Sequence, residues 1–371
     1  MTTANDLYEE RLERILTAVR LERPDRVPVV PLGDSFCARH QGVKLSEFCT
    51  NPELSNQVML KCFMELGEVD GIQHTNFYVH NLSTAWLSRL KIPGRDLPED
   101  ELWQVDEVEL MSESDYDAII NDGFRPFIER FYLERLDNLG EKLPVFFMSV
   151  PSAMQAMKDH GIVPFSPAIV TIPYELFCGG RSMHQFLRDL YRIPDKVQAA
   201  MDVAIRDMIE DARMMCGMIK PIAAWVGGWR AASEFISPRH WQRFVFPYYK
   251  QMVEAVVEEG VIAVLHFDSD WTRDLEYLRE LPAKRIVFSP DGSTDIFKAK
   301  QVLGDHACIM GDVPASLLSL GTVEKVEEYC KRLIEEIGPA GFILAQGCDI
   351  PPNARPENVA AMIASVKKFG A

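Results

Sequence analysis

The stretch VIAVLHFDSD, residues 261–270, is an apolar, β-branched run that stops abruptly at two groups able to bind a cation, His266 and Asp268. A second stretch, GFILAQGCDIPP at 341–352, stops in the same way at Cys348. Runs of this kind read as buried parallel strands, and in a parallel α/β protein the carboxyl ends of the strands are where chemistry is done. An imidazole, a carboxylate and a thiolate meeting there would form a three-ligand zinc site with an open fourth position, the arrangement of a catalytic rather than a structural zinc.

Outward from these two runs the chain alternates between strand and helix signals. Residues 5–20 place Leu7, Leu12, Ile15, Leu16 and Val19 on one side of a helix. RPDRVPVVPL closes that helix with its prolines and supplies a first strand. Asn51 and Pro52 start a helix that runs to Gly67, and VDGIQH, ending at His74, is a second strand. LPVFFMSVP at 143–151 reads as a third buried strand, and SPAIVTIPYELF contains a fourth. Further strands are expected in PIAAWVGGW, 261–266, RIVFSP, ACIMGDVP and GFILAQG, with helices between them. One of those helices is capped by Ser237 with Pro238 at its first position, and Gly260, Gly304 and Gly338 stand where helix C-caps are expected. Roughly eight such βα units predict an α/β fold of the (β/α)8 TIM-barrel kind. The expected organisation is a single domain over 1–371, with an N-terminal helix in 1–22. An irregular, acidic insertion at 92–125 would form part of the rim.

Composition removes several function classes. The chain has 371 residues and a formal net charge of −16. That is the wrong sign for nucleic acid or an anionic membrane surface. No spanning helix is expected, and the charged start MTTANDLYEERLERIL does not read as a signal peptide, so the expected location is the cytoplasm. The eight cysteines are scattered without paired spacing, as in a chain whose thiols are reduced. No Gly-x-Gly-x-x-Gly follows the first strand and no phosphate loop is present.

The chain resembles the uroporphyrinogen decarboxylase superfamily over nearly its whole length. The resemblance lies in RPDRVPVVPL at 23–32, the NPEL helix start at 51–54, SMHQFLRDLYRIPDKV at 182–197 and SPRHWQRFVFPYYKQMV at 237–253. It is strongest in HACIMGDVPASLL, TVEKVEEYC and GFILAQGCDIPPNARPENV. It implies the same barrel fold. The superfamily's decarboxylases carry an Arg-rich motif near the first strand and an Asp after the second. Here those places read GDSFCARHQG and IQHTNFYVHN, which do not match. Its other branch, the zinc-dependent corrinoid methyltransferases, carries a His-x-Cys pair on one strand end and a Gly-Cys in the last strand. This chain has His266-Phe267-Asp268 and Gly347-Cys348. The resemblance therefore implies His266 and Cys348 as metal ligands, with Asp268 standing where a Cys would be. Glu234, Asp270, Asp291 and Cys308 are held in reserve as ligands.

The expected function is movement of a methyl group between a small methylated substrate and the cobalt of a corrinoid carried on a separate protein. No Asp-x-His-x-x-Gly cobalamin segment occurs in this chain. A carboxylate in place of a thiolate makes zinc a harder ion suited to oxygen, which favours O-demethylation of a methoxylated compound. The alternatives are a metal-free lyase of the decarboxylase type and a methyl transfer to a thiol such as coenzyme M. A barrel that only binds a partner is a third. Asp270 or Asp291 is expected to orient a ligand or protonate the leaving oxygen. His74, Trp229 and Trp271 are expected to line the substrate pocket. The loops at 34–50 and 92–125 would serve as the docking rim or as a homodimer contact.

Overall fold

The computed structural model describes residues 3–370. Six parallel strands form one hydrogen-bonded sheet: Ala168–Val170, Ala223–Gly228, Ile262–Phe267, Ile286–Pro290, Cys308–Val313 and Phe342–Gln346, each beside the next. Backbone hydrogen bonds carry the ring on through the proline-rich segment 28–32. The Leu344 amide donates to the Pro28 carbonyl, and the Val30 amide to that of Leu344. From there Gln73 donates to Pro31, and the short strand Gly71–Ile72 pairs in parallel with Val163–Pro164. The Ala223 amide, donating to Phe165, returns the ring to the sheet. The result is a (β/α)8 barrel, with staves at 28–32, 70–73 and 163–170 followed by the five longer strands. Prolines in the first stave remove donors from its ladder, which is why it holds only an isolated bridge at Val29.

The segment 143–151 corrects one expectation. It lies inside a single helix, Leu139–Asp159, which contains both Pro144 and Pro151. A short apolar run does not by itself distinguish strand from helix. Here burial follows helical spacing through Phe146, Ser149, Val150, Ala153, Met154 and Met157, while Phe147 and Met148 face outward. The third stave comes later, in 163–170, and absorbs the segment read from sequence as a fourth strand. The region after Thr272 is a 3-10 helix, Thr272–Glu280. Arg89–Lys91, just before the acidic stretch, pairs antiparallel with Gln104–Asp106 inside it, and the helix Glu113–Asp122 follows.

Because side chains alternate across a strand, the barrel sorts its residues into two cores. Val30, Leu32, Val163, Phe165, Trp225, Val264, Val287, Met310 and Ile343 point inward and pack together. Their neighbours Val29, Ala224, Leu265, Phe288 and Leu344 face the helical layer. The helix Ala4–Val19, N-capped by Thr3 with Asp6 completing a capping box, joins the inner core through Ile15, Ala18 and Val19. It thereby stoppers the amino-terminal end of the barrel.

One buried carboxylate ties this stopper to the weakly laddered staves. Asp70 is fully buried and receives Arg14 Nη1 at 2.7 Å, Arg26 Nη1 at 2.7 Å and the Val29 amide at 2.8 Å. Removing one partner of a buried ion pair strands the others without compensation. Asp70→Ala is therefore expected to destabilise the protein by about 3–5 kcal/mol, measured by urea unfolding.

Candidate metal centre

His266 continues the inward series of Ile262 and Val264, so its imidazole rises inside the barrel at the carboxyl end of its strand. It is 2% exposed. Asp268 follows two residues later, where its amide donates to the Gly228 carbonyl at 2.9 Å. Cys348 reaches the same place from the last stave. Its path depends on Gly347, where a Cβ would sit 2.4 Å from the Asp291 carbonyl oxygen, so only glycine allows the two loops to approach. Gln346 locks the turn: its Nε2 donates to the Cys348 carbonyl at 2.6 Å, and its Oε1 accepts the Leu32 amide at 3.1 Å. One donor atom from each of His266, Asp268 and Cys348 lies within 4.8 Å of the others.

The His266 ring is held by stacking rather than by hydrogen bonds. Trp225 lies nearly parallel to it, with ring centroids 4.3 Å apart. Both ring nitrogens are buried without a hydrogen-bond partner, and so is Asp268 Oδ1, which stands 3.3 Å from Nε2. Burial alone lowers the imidazole's pKa, but the closeness of Asp268 and Cys348 outweighs it and raises the value to about 10. Imidazole, carboxylate and thiolate form a donor set suited to zinc. The unpaired nitrogens and carboxylate oxygen fit a cation that would satisfy them.

The other residues expected at the site are distributed differently. Asp291 spends its carboxylate on the loops: Oδ2 accepts the Ser269 amide at 2.9 Å and Oδ1 the Ser293 amide at 2.8 Å. Since Ser269 follows Asp268 and the Asp291 carbonyl abuts Gly347, Asp291 braces both loops of the donor cluster from outside. Asp270 is exposed and caps the 3-10 helix through the Thr272 amide at 2.8 Å. Glu234 is exposed too; its Oε1 receives the Asp270 amide at 3.3 Å, and it stands outside the donor cluster. Trp271 is 1% exposed and belongs to the outer core, stacked on Phe267 at 4.0 Å. Its Nε1 donates to the Asp268 carbonyl at 2.7 Å, so it supports a ligand loop and does not line the lumen. Trp229 lies over Gly227, at the end of its strand, with its ring edge against Trp86. Cys308 is a core thiol whose pKa burial pushes up to about 12. His74 does reach the lumen wall, its ring centroid 4.7 Å from that of Trp225.

Sequence reasoning passed over three acids near the mouth. Asp34 begins the helix after the first stave and accepts from His74 Nδ1 at 3.1 Å. Asp349, whose carboxylate receives the Asp34 amide at 3.0 Å, has its pKa pushed well up by burial and by the Asp34 charge. Glu175 is fully buried and accepts the amides of Trp229, Arg230 and Ala231, each at 2.9 Å. Burial still raises its pKa to about 7. The only signal for these acids was their place next to strand ends.

Comparison with known proteins agrees with this architecture. The uroporphyrinogen decarboxylase (URO-D) family matches residues 124–369, and the chain belongs to that family. A uroporphyrinogen decarboxylase of Syntrophotalea carbinolica is 26% identical over 339 residues, covering 88% of this chain and 87% of the relative. A uroporphyrinogen decarboxylase of Anaeromyxobacter dehalogenans is 26% identical over 370 residues, covering 96% and 99%. Among solved structures, a methyltransferase from Methanosarcina mazei superposes with a TM-score of 0.74 over 100% of this chain and 99% of its own, at 19% identity.

Gly347 offers a direct check on the geometry. A Cβ there must push the Asp291 backbone or the Cys348 turn aside. Gly347→Ala is expected to weaken zinc binding by about 10-fold or more, in the range seen when groups that orient ligands are lost, as read by competition with a chromogenic chelator.

Proposed function

We propose that this protein is a zinc-dependent methyltransferase that moves a methyl group from a small methylated substrate, by preference a methoxylated compound, to a corrinoid carried on a separate protein. The observation that carries the reading is the convergence of His266, Asp268 and Cys348, with the imidazole nitrogens and a carboxylate oxygen buried and unpaired. Those three residues would hold the ion. Zinc bound there would supply Lewis acidity toward an oxygen or sulfur of the substrate. The chain's own residues do the rest. Trp225 holds the imidazole plane, Trp271 and Asp291 hold the Asp268 loop, and Gln346 holds the Cys348 turn. Cys348 is exposed and Asp268 partly so, which leaves the open side of the centre facing the barrel mouth. The carboxylate in the donor set favours oxygen over a soft thiol as the group acted on.

The relatives' names suggest a second reading, decarboxylation of a polycarboxylate without metal. The mouth is a poor host for that substrate. Asp34, Asp268, Asp270, Asp291 and Asp349 crowd it, while Arg230, in the loop after the strand Ala223–Gly228, and Arg273, at the start of the 3-10 helix, are paired with Glu107 and Asp274.

The test is elemental analysis of untagged protein, with one zinc per chain expected and lost in His266→Ala and Cys348→Ala. Metal-free protein from both variants, still folded but without turnover, would bear out the assignment; wild-type protein without zinc would refute it. Metal must also displace a proton from His266. That proton is bound below a pKa of about 10, so apparent zinc affinity should climb by at least about tenfold per pH unit between about pH 7 and 9. Titrations in buffers of different ionisation enthalpy read the released proton directly.

A further inference from the structure

His74 and Asp34 stand on the lumen wall beside the metal centre, and neither belongs to the donor triad. Asp34 Oδ2 accepts from His74 Nδ1 at 3.1 Å, which leaves Nε2 as the free end of the ring. Nε2 is buried with no hydrogen-bond partner. Asp34 Oδ1 and Trp225 Nε1 are buried and unpaired as well. Trp225 touches both imidazoles, at 4.7 Å from His74 and 4.3 Å from His266. Buried polar atoms without partners are costly, and several together on one wall point to a ligand that satisfies them. The dyad is held from behind: the Asp34 amide donates to the Asp349 carboxyl at 3.0 Å. Asp270 and Asp291, by contrast, are committed to backbone amides of the loops.

We propose that His74, oriented by Asp34, is the proton donor to the leaving oxygen of a methyl ether bound between it and the metal centre, an assignment that rests on the methyl-transfer reading. In the step, the bond between methyl carbon and oxygen breaks and its electron pair stays on oxygen. The methyl passes to a reduced corrinoid, which supplies both electrons of the new bond. The Nε2 proton goes to the oxygen, giving an alcohol or phenol. His74 is left neutral, still hydrogen-bonded to Asp34, and regains a proton from solvent. Asp34, bonded to Nδ1, turns the Nε2 edge of the ring toward the oxygen.

The experiment uses zinc-loaded full-length protein, free cob(I)alamin as methyl acceptor, and anisole and 4-nitroanisole as substrates. His74→Gln should keep its zinc and its KM. Its kcat should fall by about 100-fold with anisole, whose leaving oxygen needs the proton, and by less than about threefold with 4-nitroanisole. Asp34→Asn, which keeps the ring but weakens its hold, should show the same contrast at smaller size. A readout independent of turnover is the His74 Nε2 resonance of 15N-histidine-labelled protein, assigned by its absence in His74→Gln, which should shift when phenol is added. Equal losses for both ethers, an undiminished kcat, or a resonance indifferent to phenol would overturn the assignment of His74 alone. A zinc-loaded wild-type protein that demethylates neither ether would overturn the methyl-transfer reading, and this assignment with it.

Discussion

Everything at the mouth of this barrel depends on the two-residue alternation of side chains in a closed ring of parallel strands. Because Ile262 and Val264 must face inward to fill the core, His266 faces inward too, and its ring lies against that of Trp225 on the neighbouring strand. The same constraint aims the residues after the first, second and last staves at a common space. Side chains far apart in the chain thus become neighbours without any one segment carrying the whole site. Slipping a single strand by one residue would turn His266 out toward the helices and dissolve the cluster.

That constraint also governs how much could be read from the amino-acid order. The convergence of the runs 261–268 and 341–348 was legible because both read as parallel strands, whose carboxyl ends a closed barrel gathers at one mouth. The helix caps at Asn51 and Ser237 were legible because their signals are local, and both side chains accept amides at their helix starts. The segment 143–151 was misleading because its apolar residues run continuously, and only tertiary burial separates the Phe146 face from the Met148 face. Asp270 and Asp291 stood at strand ends like the true cluster members, and nothing local revealed that backbone amides would occupy them. The His74–Asp34 pair was invisible as a pair, since forty positions separate its members and only barrel closure brings them together.

The donor set has an inherent competition. Three groups that together suit a divalent ion also suit a proton, and the same anionic neighbours that would attract zinc raise the basicity of His266. The supports around it (Trp225, Trp271, Asp291 and Gln346) act on ring planes and backbone turns.

The helix Ala4–Val19 closes the far end of the barrel with Ile15, Ala18 and Val19. With that end plugged and the inner core packed above it, the carboxyl-terminal mouth is the one approach to His266, Asp268 and Cys348.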